Sequence, residues 1–202
     1  MKKIMMIAAL MVATLSANAQ NEVGQFSLKP TAGINIATIT GDAGQKSKVG
    51  FVGGLEAEYG VAQNFGITAA FLYSMQGCKI PADKYINGGA NGNANVNIDY
   101  LNIPILAQYY LTKGLAIKAG PQFGFNVRHK ASYDGETVDI ENIRGVKVNS
   151  VNVSIPVGIS YEYKSIVLDA RYNIGLTKVF KNTNEGRNSV FAITLGYKIP
   201  LN

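Results

Sequence analysis

The chain has 202 residues, 47% of them hydrophobic and only 16% charged, with 22 Gly, 11 Tyr, 8 Phe, one Cys and one His. That length suits one domain or a single barrel, and the charged fraction is well below the roughly 25% of an average soluble protein. One cysteine and one histidine exclude an intramolecular disulfide and a Cys/His-rich zinc site. A net charge of +6 without any Lys/Arg run leaves no nucleic-acid footprint.

Residues 1–19 read as a secretory signal. Lys2 and Lys3 form a basic start, Ile4 to Leu15 is apolar except for Thr14, and Ala17-Asn18-Ala19 supplies the small residues of a cleavage site. Cleavage is expected between Ala19 and Gln20, leaving residues 20–202 as one β-barrel domain outside the cytoplasm. The apolar part is too short for a membrane-spanning helix, which needs about 20 residues.

Beyond residue 24 the pattern is period two, the sign of strands with two unlike faces. Apolar side chains alternate with small or polar ones from Phe26 to Ile36, Phe51 to Tyr59, Phe65 to Met75 and Leu101 to Leu111. The same pattern runs from Leu115 to Val127, Val151 to Tyr163, Ile166 to Leu176 and Phe191 to Leu201. These stretches are about as long as the 9–11 residues of a tilted transmembrane strand. Short turns are expected near Val61 to Asn64, at Thr112-Lys113-Gly114 and at Lys164-Ser165. The other links, residues 38–48, 77–97, 129–149 and 178–188, are long. Short turns at one end and long loops at the other predict an all-β, eight-stranded antiparallel up-and-down transmembrane barrel with its long loops outside the cell. In the third loop Asp134-Gly135 is a hairpin signal, and residues 87–93 of the second are rich in Gly and Asn.

Charge placement orients the two faces. Lys29, Glu56, Glu58, Lys118, Arg128, Glu162, Asp169, Arg171 and Lys198 all fall on the polar face and none on the apolar stripes. A membrane barrel turns its apolar stripe outward. The interior is then expected to hold a structural charge network of Lys29, Glu56, Glu58, Lys118, Glu162, Asp169, Arg171 and Lys198. Gly158, Gly196 and other small residues would make room for the long stems. Aromatics gather at both strand ends, Tyr59, Tyr109 and Tyr197 at one and Phe51, Tyr73 and Phe191 at the other, as in interfacial girdles. Pro30, Pro104, Pro121, Pro156 and Pro200 lie inside these strands, where each removes a ladder donor. Bulges or bends that shift the inside/outside phase are expected there.

Tyr100-Leu101-Asn102-Ile103-Pro104-Ile105 and Ala119-Gly120-Pro121-Gln122-Phe123-Gly124 resemble the two recurring motifs of the PorT-like family of outer-membrane β-barrel proteins. Residues Asp169 to Leu176 resemble that family's next-to-last strand. The resemblance runs along essentially the whole mature chain. It implies a barrel of the OmpX/OmpA-transmembrane type in the outer membrane of a Gram-negative bacterium, usually with no assigned biochemical activity. Such barrels typically end on an aromatic residue recognised by the barrel-assembly machinery. This chain ends Ile199-Pro200-Leu201-Asn202, which leaves Tyr197 for that role.

The expected function is non-enzymatic, stabilising the envelope or presenting loops to partners. Neither a cofactor nor a catalytic or metal site is expected. Expected partners are outer-membrane lipids, lipopolysaccharide, the barrel-assembly machinery during insertion, and an extracellular protein contacting the four long loops. Those loops carry ten Lys/Arg against seven Asp/Glu. Ordinary solvated charge is the expected account of that excess, with contact to lipopolysaccharide phosphates as the sharper alternative; neutralising Lys46, Lys48, Lys79 and Lys84 without changing lipopolysaccharide contact would count against the latter. The alternatives are a small porin or transporter of hydrophobic compounds, and a soluble periplasmic lipocalin-like lipid carrier with its stripes turned inward. A lipid hydrolase or acyltransferase built on His129, Ser132 and Glu136 is a weaker reading still, and Cys78 reads as a packed thiol.

Overall fold

The computed structural model describes residues 23–41, 45–81, 93–134, 136–142, 147–181 and 186–201. The expected signal segment, Lys84 and most of the Gly/Asn-rich loop lie outside these residues. Eleven strands form one antiparallel sheet: β1 (Phe26–Ile39), β2 (Lys46–Ala62), β3 (Phe65–Pro81), β4 (Asn93–Tyr110), β5 (Leu115–Ala119), β6 (Gln122–Tyr133), β7 (Glu136–Asp139), β8 (Val151–Tyr163), β9 (Ile166–Lys178), β10 (Arg187–Tyr197) and β11 (Ile199–Pro200). The order β3-β2-β1-β10-β9-β8-β5-β4 closes through a further β3–β4 pairing. β5 and β6 are successive parts of one wall strand, as are β10 and β11, and β7 lies beyond the wall, so the ring has eight strands.

The alternation does what a lipid-facing wall requires. Ile34, Leu55, Phe71, Ile105, Ile159 and Leu195 are exposed on the outside, whereas Lys29, Asn35, Glu56, Ser74, Gln108 and Asp169 are buried inside. This orientation excludes the lipocalin-like arrangement, whose apolar side chains fill the interior. On β1 the apolar belt runs from Phe26 to Ile36. At about 3.3 Å per residue and a tilt of about 45° that is roughly 23 Å of height, close to the band of about 25 Å in transmembrane barrels.

The prolines do not behave as expected. Pro30, Pro104 and Pro156 sit in unbroken register opposite Leu55, Gln122 and Asn173. Only Pro121 interrupts a strand, and the phase survives: Gln108↔Lys118 before it and Ile103↔Phe123 after it keep the same pairing offset. Ladder bonds alternate between the two neighbours, so a proline deletes one donor without inserting a residue. The register shifts fall elsewhere, between Ser47 and Val52, Gly60 and Ala62, Asp99 and Tyr100, and Arg187 and Ser189.

The strands also outrun the apolar pattern. β3 and β4 stay paired up to Pro81↔Asn93, so the second long link shrinks from 77–97 to residues 82–92. Past the apolar belt the interior itself turns apolar, so on β4 the alternation inverts its phase: Val96, Ile98 and Tyr100 are buried inside, on the parity that carries Asn102 and Gln108 lower down. The hairpin at Asp134 forms: Tyr133 pairs with Glu136, and Asp134 takes φ 48°.

Candidate functional site

The interior is layered, beginning with charge at the short-turn end. Glu56 is the hub. Its Oε1 accepts from Lys29 Nζ at 2.6 Å and Lys118 Nζ at 2.9 Å, and its Oε2 from Arg171 Nη2 at 2.6 Å. Asp169 completes the group, with Oδ2 3.1 Å from Lys118 Nζ and Oδ1 accepting from Arg171 Nε. A second group lies nearer the turns. Lys198 Nζ stands 3.1 Å from Glu162 Oε2 and 3.4 Å from Glu58 Oε1, and Glu58 also accepts from Tyr110 OH and from Gln108 Nε2 at 3.0 Å. All eight sequence-expected network residues are therefore in these two groups, four cations against four anions. Isolated buried charges are very costly, so this one-to-one match is what lets the groups sit inside a wall surrounded by lipid.

Local sequence makes room for the network. Gly158 lies opposite both Lys118 and Arg171. A Cβ on it would come within 2.8 Å of Arg171 Cγ, and one on Gly196 within 2.8 Å of Lys29 Cγ. Glycines thus leave free the volume that the long stems cross.

A neutral belt follows. Asn35 Nδ2 and Gln76 Nε2 both donate to Ser74 Oγ at 3.0 Å, and Gln122 Nε2 donates to Ser154 Oγ at 3.1 Å. Beyond it the long-loop end holds an apolar cluster: Ile39, Cys78, Val96, Ile98, Tyr100, Ile140, Val148 and Val179, with Phe180 packed against them. An isolated bridge, Val148↔Phe180, ties two loop segments together there.

Arg128 stands apart from the other polar-face charges. It sits just beyond the register shift at Asp99, its side chain 46% exposed and 3.7 Å from Asp99. Asp99 itself is buried and accepts from Tyr73 OH at 2.8 Å. Sequence reading missed Asp99, Gln108, Tyr110 and the apolar cluster. Continuing the alternation from Asn102 would have turned Gln108 and Tyr110 inward; Asp99 lies before the recognisable stripe begins. The suspected hydrolytic trio does not assemble. His129 Nδ1 meets Asn126 Oδ1 at 2.8 Å, His129 Nε2 meets Asp139 Oδ1 at 3.2 Å, and Ser132 Oγ meets Thr137 Oγ1 instead.

A closed antiparallel ring with an apolar exterior and a charged interior defines a transmembrane β-barrel. Residues 18–181 match the outer membrane protein beta-barrel domain family, and the chain belongs to it. No curated protein matches the sequence. Among solved structures, Ail, the attachment invasion locus protein of Yersinia pestis, in complex with the heparin analogue sucrose octasulfate, is 13% identical with a TM-score of 0.51; the match covers 88% of this chain and 100% of that one. Neisserial surface protein A is 17% identical at a TM-score of 0.49, covering 86% and 97%. Outer membrane protein W of E. coli is also 17% identical, at 0.42, covering 89% and 100%. At these identities the likeness extends to the fold alone.

Proposed function

We propose that this chain is a non-enzymatic, PorT-like outer-membrane barrel with a closed interior, which reinforces the envelope and presents its loops outside the cell. The observation that carries this reading is the Glu56 hub. Side chains from β1, β2, β5 and β9 meet on one carboxylate and its partner Asp169, crossing the lumen where a channel would need water. An eight-stranded barrel is narrow enough for side chains to fill it, whereas open aqueous lumens come at about 16–18 strands. The apolar cluster at the extracellular end adds a second seal. The engaged ring nitrogens of His129 argue against a general base there. In this reading residues 1–19 are removed on export.

The test is conductance. The purified mature protein in a planar bilayer is expected to leave the current at the leak level. Defined current steps would replace this reading with the small-porin one. Lipid A from cells overproducing the protein is expected to keep its mass; a changed mass would restore the enzymatic alternative.

A further inference from the structure

Like charges placed directly opposite each other on neighbouring strands destabilise a sheet. The extracellular rim contains two such pairs, Lys46↔Lys79 between β2 and β3, and Lys178↔Arg187 between β9 and β10. Only β1 separates them, since β2 and β10 both pair with it, and Thr40 just past its end donates its N–H to the Arg187 carbonyl at 2.8 Å. The strands β3-β2-β1-β10-β9 are consecutive neighbours. At about 4.8 Å per strand the four cations span an arc of roughly 19 Å. Among the described residues, none of the four pairs with an acidic side chain.

Their height is informative. Each lies four to six residues outside an outward aromatic, Lys46 outside Phe51, Lys79 outside Tyr73, Lys178 outside Tyr172 and Arg187 outside Phe191. With about 3.3 Å per residue and a tilt near 45°, their backbone stands roughly 9–14 Å above the aromatic girdle, just past a polar layer of roughly 5–8 Å per leaflet, and their long stems reach back down into it. The periplasmic turns offer no such row among the described residues: they carry Lys113 and Lys164, and Lys164 Nζ lies 5.6 Å from the centre of the Tyr163 ring.

We propose that this row docks the phosphates of an acylated, phosphorylated glycolipid of the outer leaflet, the lipid A type. The repulsion within each pair is relieved when a phosphate sits between its cations, with charge-assisted hydrogen bonds from both. Two pairs separated by one strand suit a headgroup with two phosphates. Continuity with the apolar wall below selects a lipid over a soluble anion, because the acyl chains then lie along exposed Phe51, Phe71 and Phe191. The proposal rests on the reading of the chain as an outer-membrane barrel that presents its loops.

The test uses the full mature chain folded in zwitterionic micelles, titrated separately with lipid A, dephosphorylated lipid A, inorganic phosphate and a soluble sulfated polysaccharide, with the thermal unfolding midpoint as readout. Lipid A alone is expected to raise the midpoint, less so as salt rises. The K46Q/K79Q and K178Q/R187Q double variants are each expected to bind it about tenfold or more weakly, the equivalent of losing one charged contact. Without lipid A they should unfold no lower than wild type, since a repulsion has been removed. An equal rise with dephosphorylated lipid A, with inorganic phosphate or with the polysaccharide would overturn the proposal, as would variants that keep the full effect. Salt-independent binding to the wild-type chain would overturn it without any variant. Such failures leave the bilayer at leak level and the closed-barrel reading intact, whereas current steps would remove that reading and leave the lipid A titration unchanged.

Discussion

Lys29 and Glu56 face each other as direct cross-strand partners on β1 and β2, with Nζ 2.6 Å from Oε1. That contact belongs to the ladder itself, so strand register and charge pairing are one constraint. A slip of one residue on β2 would turn Glu56 toward lipid and leave Lys29, Lys118 and Arg171 without their shared anion. The buried charges thus select the register as well as filling space.

Replacing Glu56 by Gln removes the hub while keeping its shape. Three cations then share Asp169 alone, and breaking a buried pair from one side costs about 3–5 kcal/mol. Urea unfolding of the E56Q protein in micelles or vesicles is expected at a lower midpoint than wild type. An unchanged midpoint would mean that water reaches the network and screens it.

Much of this molecule is legible in the sequence, for a physical reason. A wall between lipid and a charged interior imposes period two on each strand, which marks the eight strands and places the network residues on one face. Asp99 and the cluster around Ile98 and Tyr100 escape because the interior turns apolar at that end, so Val96, Ile98 and Tyr100 form an inward stripe in the opposite phase to the outward one from Leu101 to Leu111. The prolines mislead for a related reason. A missing N–H removes one bond from a ladder with many, and Pro104 and Pro156 bury their rings without shifting their neighbours.

Gly158 is expected to resist substitution. A Cβ there would approach the Ala170 carbonyl oxygen to 2.7 Å and Arg171 Cγ to 2.8 Å, and the backbone atom has little freedom to retreat. Gly158→Val should cost about 1–3 kcal/mol through overpacking. The predicted sign is a lower urea midpoint, with the folded form still running faster than the boiled form on electrophoresis. Wild-type stability in this variant would show that the wall yields at β8 and β9.

Cys78 offers a probe of the extracellular cluster. It is 1% exposed among apolar neighbours, and such surroundings disfavour the thiolate that reacts. A membrane-impermeant maleimide added to intact cells at neutral pH is therefore expected to leave it unlabelled, while protein unfolded in guanidinium labels fully. Rapid labelling of the folded protein would mean that the cluster opens on the timescale of the reaction.

The same cluster is predicted to be a separate cooperative unit above the membrane. Ile98 is fully buried in it, and Val179 is held by backbone bonds from its own N–H to Gly186 O at 2.7 Å and from Asn149 N–H to its carbonyl at 2.8 Å. Its members come from strand extensions and loops, whereas the charge network lies at the other end of the barrel. Ile98→Asn places an amide among apolar side chains at a cost of about 1–3 kcal/mol. That cost should fall on local opening of the cap rather than on the barrel as a whole. Protease added outside intact cells is expected to cut the variant faster than wild type within residues 129–149 or 178–188, while the trimmed barrel keeps its heat-modifiable mobility. Loss of that mobility together with loop cutting would show that cap and barrel unfold as one.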